Sequence, residues 1–315
     1  MRREEEAMES KLRDVVRTWG LSRFSEEMAW QWIRKSFADE LASDGRYRSV
    51  HGWLRQQLNG QRSQREHSPW QRGCPELLPS LRATAVWSSD AFAWIRRLED
   101  AYPAIKSELL ALKGQRGFQP YRAPSWASSI NSSDGLGSLG HDAGDWNVFY
   151  LFLHNVDFAQ NRALCPQTVA LIESIPEQYE HAFFSALAPG THIKKHHGPT
   201  NKKLRCHLPL VVPNGRCRLR VGDEVITVEE GKCFVFDDSF EHEAWNDDPT
   251  HARIVLIIDV WHPDLSPAEC KFLSFLRNAQ LRMDKKLAST SKDNFFSIIH
   301  DANQANMSLE EAIWS

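Results

Sequence analysis

Between residues 147 and 260 the chain is built from short apolar runs: NVFYLFLH, AFFSALAP, HIKKH, RCHLPLVV, CRLRV, EVITV, KCFVFD and RIVLIIDV. Several joints carry turn chemistry, with Pro189-Gly190, Pro213-Asn214-Gly215, Gly222-Asp223 and Glu230-Gly231 between runs. Such residues preset or permit the backbone angles of tight turns. Many short strands at this spacing close into a sandwich, a barrel or a jelly roll. The chain is therefore expected to be mainly β in this stretch.

The flanks follow a helical period instead. Met8, Leu12, Val15 and Trp19 recur at spacings of three and four, as do Met28, Trp32, Ile33, Phe37 and Leu41 after a candidate N-cap at Ser25. Trp53, Leu54 and Leu58 suggest a third, shorter helix. The polar stretch 60–73 reads as a linker. Residues 89–113 return to helix, with Pro103 opening a new one at its first turn. A loop rich in Ser and Gly follows over 128–146, and Ser308 with Glu311 forms a candidate capping box near the C-terminus. The expected organisation is a helical segment and linker over 1–73, a β-rich domain with its leading helices over 74–285, and a helical tail over 286–315. A chain of 315 residues, 42% hydrophobic, has enough apolar material for such a core.

The charge balance excludes some partners. A formal net charge of −3 gives no support for a nucleic-acid binder. The longest apolar runs, such as RIVLIID and VFYLFL, are far shorter than a membrane span. The opening MRREEEAMESKLRD is charged throughout, unlike a secretory signal. Six cysteines are scattered without a CxxC pair, and Cys206, Cys217 and Cys233 fall in strand-like segments. They read as buried thiols of a protein made in a reducing compartment, which points to the cytoplasm.

The chemistry concentrates around KKHHGPTN. Side chains two apart share one side of a strand, so His196 and position 198 face together while His197 faces away. A facial-triad iron site would place Asp or Glu at that second position, with another histidine far along the chain. Here the position is Gly198, and a distant histidine is His242 in FDDSFEHEAW. Arg253 heads the apolar strand RIVLIIDV, with Val255, Ile257 and Asp259 as face-mates. A buried arginine needs an anion. Internal candidates are Asp237, Asp238, Glu241 and Asp259, although Asp237-Asp238 reads as a turn. Arg205 and His207 share a strand face with Val211.

Three stretches, HHGPTNKKLRCHLPLVVP, GKCFVFDDSFEHEAWND and RIVLIIDVWHPDL, resemble the catalytic domain of the aspartyl/asparaginyl β-hydroxylase family. The likeness is densest over 180–268 and reaches back more loosely to about 75. It implies a double-stranded β-helix (a cupin-like jelly roll) and an oxygenase dependent on Fe(II) and 2-oxoglutarate. It implies His196 and His242 as the only protein ligands, with Gly198 where the acid is missing and water completing the shell. It further implies that Arg253 pairs with the far carboxylate of 2-oxoglutarate, that His207 and Ser185 contact the same cosubstrate, and that Arg205 binds an acidic substrate. Asp145 and Trp146, beside the long loop, are candidates for the substrate groove; the alternative is a core Trp with a turn Asp. Lys202 and Lys203 read as a solvated turn. The expected reaction takes O₂ and hydroxylates the β-carbon of Asp or Asn in a peptide or protein. The alternatives are the same chemistry on a small molecule or lipid acyl chain, or a non-catalytic jelly-roll module. Retention of His196, His242 and Arg253 argues against the latter. A zinc hydrolase lacks support, since there is no HExxH and no evident third ligand. Two departures stand out. His197 replaces a threonine of animal members, with little expected effect because it faces away. The segment just after residue 155 holds only Cys165 where those members have a cysteine pair, so no disulfide is expected there.

Overall fold

The computed structural model describes residues 2–41, 45–58, 68–114, 117–121, 144–154, 156–176 and 178–288. Most of the 128–146 loop, residues 59–67 of the linker, and the Ser308–Glu311 capping box lie outside these described residues. The helices are α1 (Arg2–Arg17), α2 (Arg23–Leu41), α3 (Arg48–Leu58), α4 (Ile95–Asp100), α5 (Tyr102–Ala111), α6 (Ala159–Leu164), α7 (Pro166–Glu173) and α8 (Pro267–Ala288). None of the described helices is long and apolar enough to cross a membrane. Chain contacts define two units. One comprises α1–α3, Glu76–Arg82 and α8; the other comprises Ser68–Pro75 and Ala83–Trp261. Helix α8, part of which falls in the expected 74–285 stretch, is thus grouped with the N-terminal helices.

The helical unit buries Leu12, Val16, Trp30, Ile33, Leu54, Phe272 and Leu276. Trp19 stacks on Trp53 with ring centroids 5.4 Å apart. The cap of α2 differs from expectation. The helix begins at Arg23, and Ser22 is the cap, its Oγ accepting the Ser25 N–H at 3.2 Å. Ser25 itself is buried inside the first turn. Glu269 closes two helix starts at once. It accepts the Ser49 and Val50 N–H groups of α3, at 2.6 and 3.0 Å, and that of Ser266 ahead of α8 at 2.9 Å. The Ser266 Oγ reciprocates by accepting the Glu269 N–H, which is a capping box shared with a second helix.

The second unit is β-rich. Its strands are β1 (Val86–Trp87), β2 (Gln119–Pro120), β3 (Trp146–Leu153), β4 (Gln178–Leu187), β5 (His192–His196), β6 (Lys203–Val211), β7 (Cys217–Val221), β8 (Glu224–Thr227), β9 (Phe234–Phe236), β10 (His242–Asn246) and β11 (Arg253–Trp261). They form a seven-stranded sheet, β1-β9-β6-β11-β4-β3-β2, and a four-stranded sheet, β5-β10-β7-β8. All pairings are antiparallel. From β4 to β11 the chain passes back and forth between the sheets. That is the double-stranded β-helix, with β1–β3 extending the larger sheet.

Alternation sorts the side chains of the larger sheet. Phe149, Phe184, Leu204, Cys206, Leu208, Ile254, Leu256 and Ile258 face one way, into a core shared with Ile95, Leu98, Ile105, Leu109 and Ile172 of α4, α5 and α7. Tyr150, Phe183, Val255 and Ile257 face the other way, toward Ile193, Leu219, Val221 and Ala244 of the smaller sheet. One expectation fails in detail. Val211 does not share the face of Arg205 and His207. The β6–β11 register slips between Ile254 and Val255, so Val211 pairs with Ile254 and packs on the helix side. The expected 89–113 helix is interrupted as anticipated, with Pro103 in the first turn of α5.

Candidate active site

His196 ends β5, His242 opens β10, and the two are register partners. Their ring centroids lie 4.0 Å apart at an interplanar angle of 54°. Each ring is turned by its own backbone. His196 Nδ1–H donates to the Lys194 carbonyl at 2.7 Å, and His242 Nδ1–H to the Phe240 carbonyl at 2.8 Å. A carbonyl only accepts, so the proton of each neutral ring lies on Nδ1 and the lone pair on Nε2. Desolvation by burial is the main force holding both imidazoles below their usual range. The result is a pair of neutral rings with their Nε2 lone pairs available, a suitable chelate for a transition-metal ion. Among the described residues no group of three or more His, Cys, Asp or Glu side chains is placed to hold a metal.

Gly198 explains the absent acid in steric terms. Its N–H donates to the Asp238 carbonyl at 2.6 Å. A Cβ built on it would meet the Asp238 carboxyl carbon at 2.5 Å. The volume of a side chain at 198 is already filled by a carboxylate from the β9–β10 connection. Asp238 Oδ2 is engaged by Lys203 Nζ at 2.7 Å and by Arg205 Nη1 at 3.5 Å. Its Oδ1 is buried with no hydrogen-bond donor among the described residues. We therefore expect Gly198→Ala to destabilise the fold by roughly 1–3 kcal/mol, as overpacking does. Thermal denaturation checks this, and an unchanged midpoint would count against the packing argument.

Across the interior lies a set of donors. Arg253 is 1% exposed, and among the described residues it forms no ion pair. Its Nη2 donates to His207 Nδ1 at 3.4 Å, a long contact, while its Nε is buried with no acceptor among the described residues. Burial pulls its pKa down to about 10. Because His207 Nδ1 accepts, its proton lies on Nε2, and that atom too is buried with no partner among the described residues. Burial, and then the neighbouring Arg253 charge, keep His207 neutral. Ser185 faces Val255 across the β4–β11 register. Its Oγ accepts the Trp146 indole N–H at 2.9 Å, leaving the hydroxyl hydrogen to donate. Unsatisfied buried donors of this kind are costly unless an acceptor arrives. A carboxylate ligand is the natural complement.

The remaining expected residues are placed as follows. Arg205 grips Asp259 in a two-pronged pair, Nε to Oδ1 at 2.7 Å and Nη2 to Oδ2 at 2.9 Å. Burial opposes its charge, but Asp259 and Asp238 outweigh it and hold the guanidinium above its usual range. Lys203 corrects the solvated-turn reading. It is 2% exposed and bridges Asp238 and Asp259, the latter at 3.0 Å. Trp146 faces the interior and is stacked by Tyr121, centroids 3.8 Å apart. Asp145 is exposed at the start of β3, its N–H bonded to Thr191 Oγ1 at 3.1 Å. His197 turns away from the imidazole pair, its Nδ1–H donating to the Ser239 carbonyl at 3.0 Å.

Sequence reasoning named Asp238 as a turn residue and a candidate partner of Arg253, and Lys203 as a solvated turn, but it missed their pairing with each other in the interior and the extent of strand β10. The tandem Asp237-Asp238 looked like a turn, and it is one: Ser239 N–H donates to Asp237 Oδ1 at 2.9 Å. Burial nonetheless raises the Asp237 carboxyl to about 7. The available signal was the alternation Lys203-x-Arg205-x-His207, three polar residues on one strand face.

A family model described as Aspartyl/Asparaginyl beta-hydroxylase matches residues 99–263, just over half of the chain. The human "Aspartyl/asparaginyl beta-hydroxylase" is 42% identical over 218 residues, 65% of this chain and 26% of that protein. The human "Aspartate beta-hydroxylase domain-containing protein 2" is 35% identical over 212 residues, 64% of this chain and 54% of that protein. The "Ornithine lipid ester-linked acyl 2-hydroxylase" of Rhizobium tropici is 37% identical over 185 residues, 58% of this chain and 62% of that protein. The chain thus spans less than two thirds of the length of each of these relatives.

Proposed function

The chain belongs to the aspartyl/asparaginyl β-hydroxylase family, and on that footing we propose that it is an Fe(II)- and 2-oxoglutarate-dependent dioxygenase that hydroxylates the β-carbon of Asp or Asn residues in a peptide or protein. The observation that carries the reading is the donor set of Arg253, His207 and Ser185, unmatched by any carboxylate among the described residues, and joined to the imidazole pair through the Phe236 ring.

His196 and His242 would hold the ion through Nε2, each ring fixed by its carbonyl. When bound, the ferrous ion and 2-oxoglutarate supply the oxidising power that inserts an oxygen atom from O₂ into a C–H bond. Arg253 would take the far carboxylate of the cosubstrate. His207 Nε2–H and the Ser185 hydroxyl would donate to its oxygens. Asp238 Oδ1 would accept a hydrogen bond from water completing the shell. Phe236, Val255 and Ile257 keep bulk water from this interior. Arg205 would meet the substrate, with Trp146 lining the groove from β3, and the partial neutralisation of Arg205 by Asp259 leaves it a weak attractor for a free carboxylate. That pairing, together with the lipid hydroxylase relative, favours as a second reading the same chemistry on a lipid acyl chain. The six cysteines, all thiols, support action in a reducing compartment such as the cytoplasm.

The test is stimulation of succinate release from 2-oxoglutarate under air. Peptides carrying Asp or Asn should stimulate it and gain the mass of one oxygen atom. If only acyl lipids do so, the second reading replaces the first. If neither candidate class does, both substrate assignments fall.

A further inference from the structure

We infer that residues 68–75 are a positioning strap for the imidazole pair, with Gln71 as its key side chain; the inference rests on the metal-binding reading of His196 and His242. The strap enters through a short 3₁₀ turn, Pro69–Gln71, capped by Ser68. It then touches both segments that carry the imidazoles.

On the β10 side it holds the connection that delivers His242. Trp70 accepts the Glu241 N–H on its carbonyl at 2.7 Å. Gln71 is 1% exposed, and its Nε2–H₂ donates to Ser239 Oγ at 2.8 Å and toward Asp237 Oδ2 at 3.4 Å. On the β5 side the strap backbone lies flush against the residue after His196. A Cβ on Gly73 would fall 2.3 Å from His197 Cδ2, so only glycine admits the ring there. His197 in turn donates to the Ser239 carbonyl, the same residue that Gln71 holds through its hydroxyl. Ser239 is therefore a junction between the strap, the β5 end and the loop leading to His242.

The chemistry gives this contact a purpose. A metal held by two protein ligands has no third side chain to fix the angle between them. Their relative placement must come from surrounding contacts, and outer contacts of this kind typically change metal affinity by about 10–100-fold when removed. The strap supplies those contacts from a segment distant in sequence from both histidines.

The experiment measures Mn(II) affinity of the full chain by the electron paramagnetic resonance of the free ion. Gln71→Ala should weaken binding by about 10–100-fold. Ser239→Ala removes the same hydrogen bond from its other end and should give a similar loss. The double variant should lose little more than either single one, because one contact is being removed twice. At saturating Mn(II), 2-oxoglutarate affinity should match the wild type, since Arg253 and His207 are untouched; a merely structural defect would lower both. If wild type binds no Mn(II), the metal-site reading itself fails. If wild type binds and folded Gln71→Ala or Ser239→Ala binds within about twofold of it, the strap inference is overturned. Should Gln71→Ala not fold, Ser239→Ala decides alone.

Discussion

Arg253→Ala should weaken 2-oxoglutarate binding by at least about 30-fold. Truncating one member of a buried charge pair removes about 2–5 kcal/mol, and the lower bound corresponds to that factor. The guanidinium is buried, and its contact to His207 is too long to satisfy it. The same isolation predicts an opposite effect on the ligand-free fold. Arg253 has no counter-ion among the described residues; a buried cation in that state is destabilising, and replacing such groups by apolar ones of similar volume is often neutral or stabilising. Arg253→Met should therefore unfold at a temperature equal to or above that of wild type, while losing the cosubstrate as fully as the alanine variant. Anaerobic titration of 2-oxoglutarate into the Fe(II)-loaded protein, followed in the visible, gives the affinity; calorimetry gives the unfolding midpoint. Unchanged affinity in either variant would remove Arg253 from the cosubstrate site. A strongly lowered midpoint for Arg253→Met would mean the guanidinium is satisfied in the ligand-free state.

His242→Ala should lower metal affinity by more than about 100-fold, beyond what loss of an outer contact produces. On the proposed reading, in which the two imidazoles are the protein ligands, deleting one leaves a single attachment and no chelate. His242 is also buried, with Phe236 edge-on at 5.6 Å, so the substitution leaves a small cavity at the mouth of β10. At stoichiometric Fe(II) and 2-oxoglutarate the visible band expected of wild type should vanish. His197→Ala is the comparison: that ring points away and only supports Ser239, so it should lose no more than an outer contact does and should retain the band at saturating Fe(II) and 2-oxoglutarate. If His242→Ala binds Mn(II) as wild type does, the ion is held elsewhere. Equal losses from the two variants would mean that local packing, and not ligation, governs the site.

Both effects turn on partners that a linear reading leaves open. Asp259 lies on the same strand face as Arg253 and was a candidate counter-ion. Six residues of strand place them roughly 20 Å apart, and Asp259 instead stands opposite Arg205 in the β6–β11 register. Asp238 was another candidate, and it is taken by Lys203 and Arg205. Among the described residues Arg253 is left without a carboxylate because the cross-strand register gives Asp238 and Asp259 to the other cations.

What the sequence determined by itself was the local order. Two-residue alternation assigned Arg205 and His207 to one face and turned His197 away from His196, because the pleat of a strand is a property of its own backbone. Turn residues and run lengths determined that the middle of the chain is β-rich, and Pro103 marked the start of α5. The family motif marked both histidines. Tertiary structure alone decided what meets across strands. It brought Asp238 into the volume above Gly198, buried Lys203, displaced Val211 by a bulge, and set Gln71 against Ser239 across 168 positions of chain. The physical reason is that alternation is set by each residue's neighbours. Register, bulges and the closing of one segment over another are set by how the whole β-roll packs, and no short window of sequence contains that information.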